Sequence, residues 1–99
     1  MAEQHSYIVT YDICDPKRLR RVFKELKAWG VHIQYSVFQC NLTEQQRIEL
    51  ESELEELINN HVDQVLLIRI GPAQGRASVA ITALGKAFGV KEVGGGLIV

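Results

Sequence analysis

Two aspartates, Asp12 and Asp15, are the residues of this sequence whose type and spacing best suit metal chemistry. They follow a stretch rich in β-branched and aromatic residues, so they stand where a strand would end. Carboxylate oxygens suit hard divalent cations, and Mg²⁺ usually takes one or two protein carboxylates while keeping several waters. An aspartate at such a place can instead cap a turn or a helix. Metal binding and capping are therefore both open at this point of the chain.

The residues that follow each aspartate separate the two roles. Asp15 precedes Pro16, and a proline at the first helical position loses no hydrogen bond. An aspartate side chain there accepts a free amide N–H of the first turn, so we expect Asp15 to begin a helix. Asp12 is then the candidate metal ligand, and a turn cap at the strand end is the alternative reading of it.

The helix predicted after Asp15 carries most of the positive charge of the chain. It holds six of the eleven basic residues, and Glu25 is its single acid, whereas six of the twelve acids fall in a second predicted helix. A charge run is usually a solvated face. The alternative is contact with a nucleic-acid backbone, whose affinity would fall steeply with salt. The candidates for this contact are Arg18, Arg20, Arg21 and Lys24.

Hydrophobic spacing predicts the elements around these residues. Residues 7–13 alternate as a strand, and the helix after it ends at Gly30. Residues 31–42 are extended in character and too long for one strand, so we expect a break near Tyr35-Ser36. The predicted buried stripe of the first helix is Leu19, Val22, Phe23 and Leu26.

The second half of the chain adds one helix and one strand. Thr43 and Gln46 have the spacing of a capping box and open the second helix, which ends at Asn59-Asn60. Residues 63–71 form a nearly continuous apolar run, which predicts a strand in the centre of the sheet. The predicted inner face of the second helix is Leu50, Leu54, Leu57 and Ile58.

The resulting order is β-α-β-β-α-β, which predicts an α+β, ferredoxin-like fold with two helices on one face of a four-stranded antiparallel sheet. We expect a single domain with a core over residues 1–77 and a tail over residues 78–99. The tail has strand-like pieces at 78–84 and 97–99. Because the helices cover one face of the sheet, we expect a homodimer with exchanged tails to cover the other.

Composition limits the class of protein. The chain has 99 residues, 46% of them hydrophobic, and a net charge of −1. That charge argues against a protein that coats nucleic acid through its overall potential. No apolar run is long enough for a membrane span and no leader precedes residue 7, so we expect a cytoplasmic protein without a membrane partner. Cys14 and Cys40 lack zinc-site spacing and are expected to be buried thiols.

The motifs together resemble the CRISPR-associated protein two family, small dimeric ferredoxin-fold nucleases of the CRISPR adaptation module. The resemblance covers residues 6–71 and rests on Tyr11-Asp12-Ile13 followed by Asp15, the basic helix, Gln34 and Ser36-Val37-Phe38. It implies that Asp12 of each subunit contributes to a shared Mg²⁺ or Mn²⁺ site at the dimer interface. It also implies that Arg18, Arg21 and Phe38 take part in nucleic-acid contact.

Two positions depart from that family's pattern. His32 stands where many members have an arginine, and Gln39 stands where a glutamate often follows the Ser-Val-Phe run. The second departure removes a carboxylate from the neighbourhood of the expected site.

Three functions are compatible with these observations. The first is a homodimeric, metal-dependent endonuclease that hydrolyses RNA or DNA phosphodiester bonds through Asp12. The second is a structural bridge that holds DNA and joins copies of the CRISPR integrase without hydrolysis. The third is a ferredoxin-fold sensor of small molecules, which would have no need of a basic helix.

Overall fold

The computed structural model of the protein describes residues 3–74 and 81–86, and it confirms the predicted order of elements. The fold is α+β and ferredoxin-like, with a four-stranded antiparallel sheet and two helices. Each observed boundary lies within a few residues of the predicted one. The elements are β1 (His5–Asp12), α1 (Pro16–Trp29), β2 (Gly30–Gln34), β3 (Val37–Leu42), α2 (Glu44–Leu57) and β4 (Gln64–Pro72).

The strands lie in the order β2-β3-β1-β4, so β1 and β3 are central. The prediction that the fourth strand is central was wrong, because β4 pairs only with β1 among the described residues. Its apolar run has another cause. Leu66 and Ile68 point away from the helices and are 47% and 49% exposed, whereas Val65 and Leu67 pack on the core. Both faces of this edge strand are therefore apolar, which is the pattern of a buried central strand.

The core lies between the sheet and the two helices. Tyr7, Val9 and Tyr11 alternate along β1 and are buried on the helix side. Leu19 is an exception to the predicted stripe of α1, because it stays 38% exposed at the margin of that stripe. The helix residues that are buried as predicted are Val22, Leu26, Leu50 and Leu54.

Local signals begin the second helix as the sequence predicts. The Thr43 hydroxyl accepts from the Gln46 amide at 3.1 Å, and the Gln46 side-chain oxygen accepts from the Thr43 amide at 2.9 Å. These two bonds are the reciprocal bonds of a capping box. The break between β2 and β3 also falls at Tyr35-Ser36, as predicted, and Tyr35 has a left-handed φ of 37°.

The helix-free face of the sheet carries a row of side chains across all four strands. Val31 pairs with Gln39, Gln39 pairs with Ile8, and Ile8 pairs with Ile68. Paired residues of antiparallel strands point to the same face. Val31 and Ile68 are 44% and 49% exposed, so the described residues leave this face uncovered.

The predicted tail is described only in part. Residues 81–84 of one copy do not pair as a strand with the other described residues. Residues 78–80 and 97–99, and any exchange of tails between copies, lie outside the described residues. Across the ranges that the structure describes, neither helix is long and apolar enough to cross a membrane.

Candidate functional site

Asp12 is the last residue of β1, and its side chain is exposed on the helix-free face. It follows Ile8 and Thr10 in the alternation of the strand, and its Cα partner is Gln64 at the start of β4. None of the three ion pairs found among the described residues involves it. The carboxylate is therefore accessible to a cation or to a second copy of the chain.

Asp15 caps α1, as the sequence predicts. Its carboxylate accepts a hydrogen bond from the Arg18 amide at 3.0 Å, and Pro16 follows it at the first helical position. This hydrogen bond, helped by the nearby positive charges, lowers the pKa of Asp15. Asp15 thus begins the helix, as expected from its neighbours.

Asp63 is a functional candidate that sequence reasoning missed. Its carboxylate is fully buried and accepts from the amides of Cys14 and Asn59, each at 2.9 Å, and from Arg18 Nε at 2.7 Å. The Arg18 guanidinium, aided by these two amides, holds the pKa of Asp63 well below its usual range. No local pattern could have found the contacts of Asp63 with Arg18 and Cys14, because these residues lie 45 and 49 positions away along the chain.

The four basic residues predicted to contact nucleic acid do not share one environment. Arg18 points to Asp63, with a second contact from Nη2 to Oδ1 at 3.4 Å, and its side chain is 25% exposed. Arg20, Arg21 and Lys24 are exposed on α1. Because residues three and four apart are neighbours on a helix, these three form one basic face, which we call the α1 basic face.

Glu25, the single acid of α1, makes no ion pair with the α1 basic face among the described residues. Its carboxylate accepts from Trp29 Nε1 at 2.9 Å. It also lies close enough to Glu53 of α2 to raise the pKa of that residue. The positive charge of Arg20, Arg21 and Lys24 is thus left without an ion pair among the described residues.

Phe38 is fully buried, which contradicts its prediction as a nucleic-acid contact. Its ring centroid lies 6.2 Å from that of Tyr11, 5.5 Å from that of Phe23 and 5.0 Å from that of His32. A ring without exposed surface cannot stack on a base while the core is closed. Phe38 is a core residue in the strand beside β1.

The turn between β2 and β3 borders the site. The Tyr35 carbonyl lies 2.8 Å from His32 Nε2, and the Ser36 carbonyl accepts from the Tyr11 amide at 3.1 Å. The turn is thereby attached to the residue immediately before Asp12. Neither contact was anticipated from the sequence.

Asp12 is the candidate metal ligand predicted from the sequence. Within residues 3–74 and 81–86, no group of three or more histidine, cysteine or acidic side chains could hold a metal. Asp12 itself fits the chemistry of Mg²⁺ or Mn²⁺, since it offers exposed carboxylate oxygens and these ions need few protein ligands.

Comparisons with known proteins agree with this architecture. The family described as CRISPR associated protein Cas2 matches residues 5–77. CRISPR-associated endoribonuclease Cas2 1 of Rhodospirillum rubrum is 48% identical over 89 residues, which is 90% of this chain and 86% of that protein. CRISPR-associated endoribonuclease Cas2 of Geobacter sulfurreducens is 39% identical over 86% of this chain and 88% of its own length.

A solved structure has the same fold. The crystal structure of Streptococcus pyogenes Cas2 at pH 6.5 superposes with a TM-score of 0.71 at 28% identity, covering 81% of this chain and 99% of that one. The family match spans all six elements of the sheet and helices, and the relatives match over most of both chains. This chain belongs to the CRISPR-associated Cas2 family.

Proposed function

We propose that this protein is a homodimeric, metal-dependent endonuclease of CRISPR adaptation that hydrolyses RNA or DNA phosphodiester bonds. The observation that carries the proposal is the exposed Asp12 carboxylate at the end of β1, on the same face as exposed apolar side chains. The relatives named as endoribonucleases support the reaction class.

The dimer follows from the surface that the described residues leave uncovered. Val31, Leu66 and Ile68 are each more than 40% exposed on the helix-free face. A twofold axis through that face would cover these side chains with their counterparts. Because Asp12 stands on the same face, the axis would also bring the two Asp12 carboxylates towards each other.

Two carboxylates that approach each other repel unless a proton or a cation lies between them. We propose that Mg²⁺ or Mn²⁺ takes this place, with one Asp12 from each subunit as its protein ligands. Such an ion lowers the pKa of a bound water and offsets the charge that develops on a phosphate oxygen during hydrolysis. The contribution of Asp12 is to hold its oxygens at the strand end, where a substrate backbone can reach them.

The α1 basic face would hold the substrate. Arg20, Arg21 and Lys24 are exposed and unpaired among the described residues, so their charge is available to phosphates. Contacts to phosphates fix the position of a nucleic acid without reading its sequence. This feature suits both RNA and DNA.

Cleavage of labelled RNA and DNA at several Mg²⁺ concentrations tests the proposal, with Asp12→Asn compared against Asp15→Asn. Both variants remove one carboxylate, but asparagine still caps a helix, so Asp15→Asn should keep its fold and its activity. Asp12→Asn should lose metal-dependent cleavage while it keeps the dimer. Equal cleavage by Asp12→Asn and the unchanged protein would refute the shared metal site.

A structural bridge that holds DNA and joins copies of the CRISPR integrase is the second candidate. It is favoured by the α1 basic face, which can hold DNA without hydrolysis, and by the finding that the described residues contain no group of three or more possible metal ligands. The same pair of variants separates the two functions. Insertion of new CRISPR spacers by Asp12→Asn at the normal frequency would favour the bridge, and loss of insertion together with cleavage would favour the enzyme.

A further inference from the structure

The buried carboxylate of Asp63 joins three separate segments of the chain. It accepts from the Cys14 amide in the loop between β1 and α1, from the Asn59 amide after α2, and from the Arg18 guanidinium in the first turn of α1. Its side chain has no exposed surface. A carboxylate with three such donors is fixed in direction, since each bond restricts a different oxygen lone pair.

These contacts hold the two segments next to Asp12, namely the loop that follows it and the segment that enters β4. Asp12 pairs with Gln64, and Asp63 is the residue before Gln64. Cys14 is two residues after Asp12. Its side chain is exposed, not buried as the sequence predicts, and its thiol donates to the Val62 carbonyl at 3.0 Å. The loop that leaves Asp12 is thereby attached to the segment that enters β4.

Arg18 is committed to this cluster by its geometry. Its Nε and Nη2 both point to the Asp63 carboxylate, at 2.7 and 3.4 Å. Releasing Arg18 to a phosphate would leave the Asp63 charge buried without its counter-ion, which is costly. Arg20 and Arg21, in contrast, are exposed and make no ion pair among the described residues.

We propose that Asp63 is the positioning residue of the nuclease site, which fixes the strand end that carries Asp12, and that Arg18 serves as its counter-ion instead of contacting nucleic acid. The inference rests on the proposed role of Asp12. It assigns to Asp63 no contact with substrate or metal. Fixing the strand end in this way keeps the backbone of Asp12 in one position relative to a second copy of the chain.

The test compares Asp63→Asn and Arg18→Gln with two arginine controls in the full-length dimer. Both variants should lower kcat for RNA at least about tenfold while KM changes less than about twofold, and both should raise the Mn²⁺ concentration needed for half-maximal binding in calorimetry. Arg21→Gln, on the α1 basic face, should show the opposite pattern of raised KM and little change in kcat. Arg47→Gln breaks ion pairs with Glu44 and Glu51 on α2 and should change neither constant.

Exchange of the Cys14 amide hydrogen with solvent is a readout independent of cleavage, because this amide donates a hydrogen bond to Asp63. Asp63→Asn should increase the exchange rate of this amide by at least about tenfold and leave the amides of β3 protected. Should Asp63→Asn fail to fold, Arg18→Lys keeps the charge but loses the two-pronged geometry, and it should show the same fall in kcat to a smaller extent.

The inference is overturned if folded Asp63→Asn and Arg18→Gln keep the kcat and Mn²⁺ affinity of the unchanged protein. It is also overturned if Arg18→Gln raises KM as Arg21→Gln does, since Arg18 would then contact the substrate. Failure of the proposed function looks different, because Asp12→Asn would then cleave at the normal rate. An inactive Asp12→Asn beside a fully active Asp63→Asn would remove only the present inference.

Discussion

Gly30 and Cys40 face each other across β2 and β3 with no room for a side chain at position 30. A Cβ placed on Gly30 would lie 2.5 Å from Cys40 Sγ and 2.3 Å from the Gln39 carbonyl oxygen. The backbone of Gly30 is extended, which any residue adopts, so glycine is required here by space and not by its conformational freedom. The same residue ends α1 and begins β2, and this close approach allows the helix to pass directly into the sheet.

Gly30→Ala should therefore be strongly destabilising. The added methyl group meets a backbone oxygen that cannot rotate away, and overpacking of this kind typically costs about 1–3 kcal/mol. Urea denaturation measures the loss. Cys40→Ala in the same chain should recover part of it, because the sulfur contact is removed while the Gln39 carbonyl remains. A Gly30→Ala protein as stable as the unchanged one would contradict the packing of β2 on β3.

The sequence predicts those parts of this molecule that depend on near neighbours. The Asp15 cap, the capping box at Thr43 and the turn at Tyr35 were all found because their partners lie within a few residues. The contacts of Asp63 with Arg18 and Cys14 could not be found in this way, since these residues meet only when β4 pairs with β1. Phe38 shows a related limit: an aromatic residue in a family motif was interpreted as a contact with nucleic acid, although its neighbours in space place it in the core.

Asp63 should also make the stability of the protein depend on pH in a defined direction. The pKa of Asp63 is lowered in the folded state, first by the hydrogen bond from Arg18. A lowered pKa stabilises the fold above the unfolded-state pKa of about 4, and this contribution is lost as the pH falls below that value towards the folded-state pKa. The difference in unfolding free energy between the unchanged protein and Asp63→Asn should thus be constant from pH 9 to 5 and shrink below pH 4.

Glu44→Gln is the matched control for that measurement. The pKa of Glu44 is also lowered by an arginine, Arg47, but the pair is on the surface. Exposed ion pairs contribute little to stability. Its difference curve should therefore be nearly flat, and an equally flat curve for Asp63→Asn would argue against a buried ion pair.

The α1 basic face should be recognisable from the salt dependence of nucleic-acid binding. Each phosphate contact contributes about one unit to the slope of log K against log salt. Arg20→Ala, Arg21→Ala and Lys24→Ala should each reduce affinity for duplex DNA and flatten the slope by about one unit. Arg47→Ala, on α2, should leave the slope unchanged, as should Arg18→Gln if Arg18 is held by Asp63. Equal slopes for all variants would assign α1 to solvent alone.

Substitutions on the helix-free face of the sheet test whether the protein forms a dimer through that face. Ile68 pairs with Ile8 on this face and is 49% exposed. Ile68→Glu should prevent dimerisation, because a twofold contact would bury two acids near the axis. Light scattering should show a monomer, with loss of metal-dependent cleavage. Ile48→Glu makes the same exchange at a residue that is 54% exposed on α2, and this variant should stay a dimer. The reverse result, a monomeric Ile48→Glu beside a dimeric Ile68→Glu, would mean that the copies pair through their helices and that the two Asp12 carboxylates never share an ion.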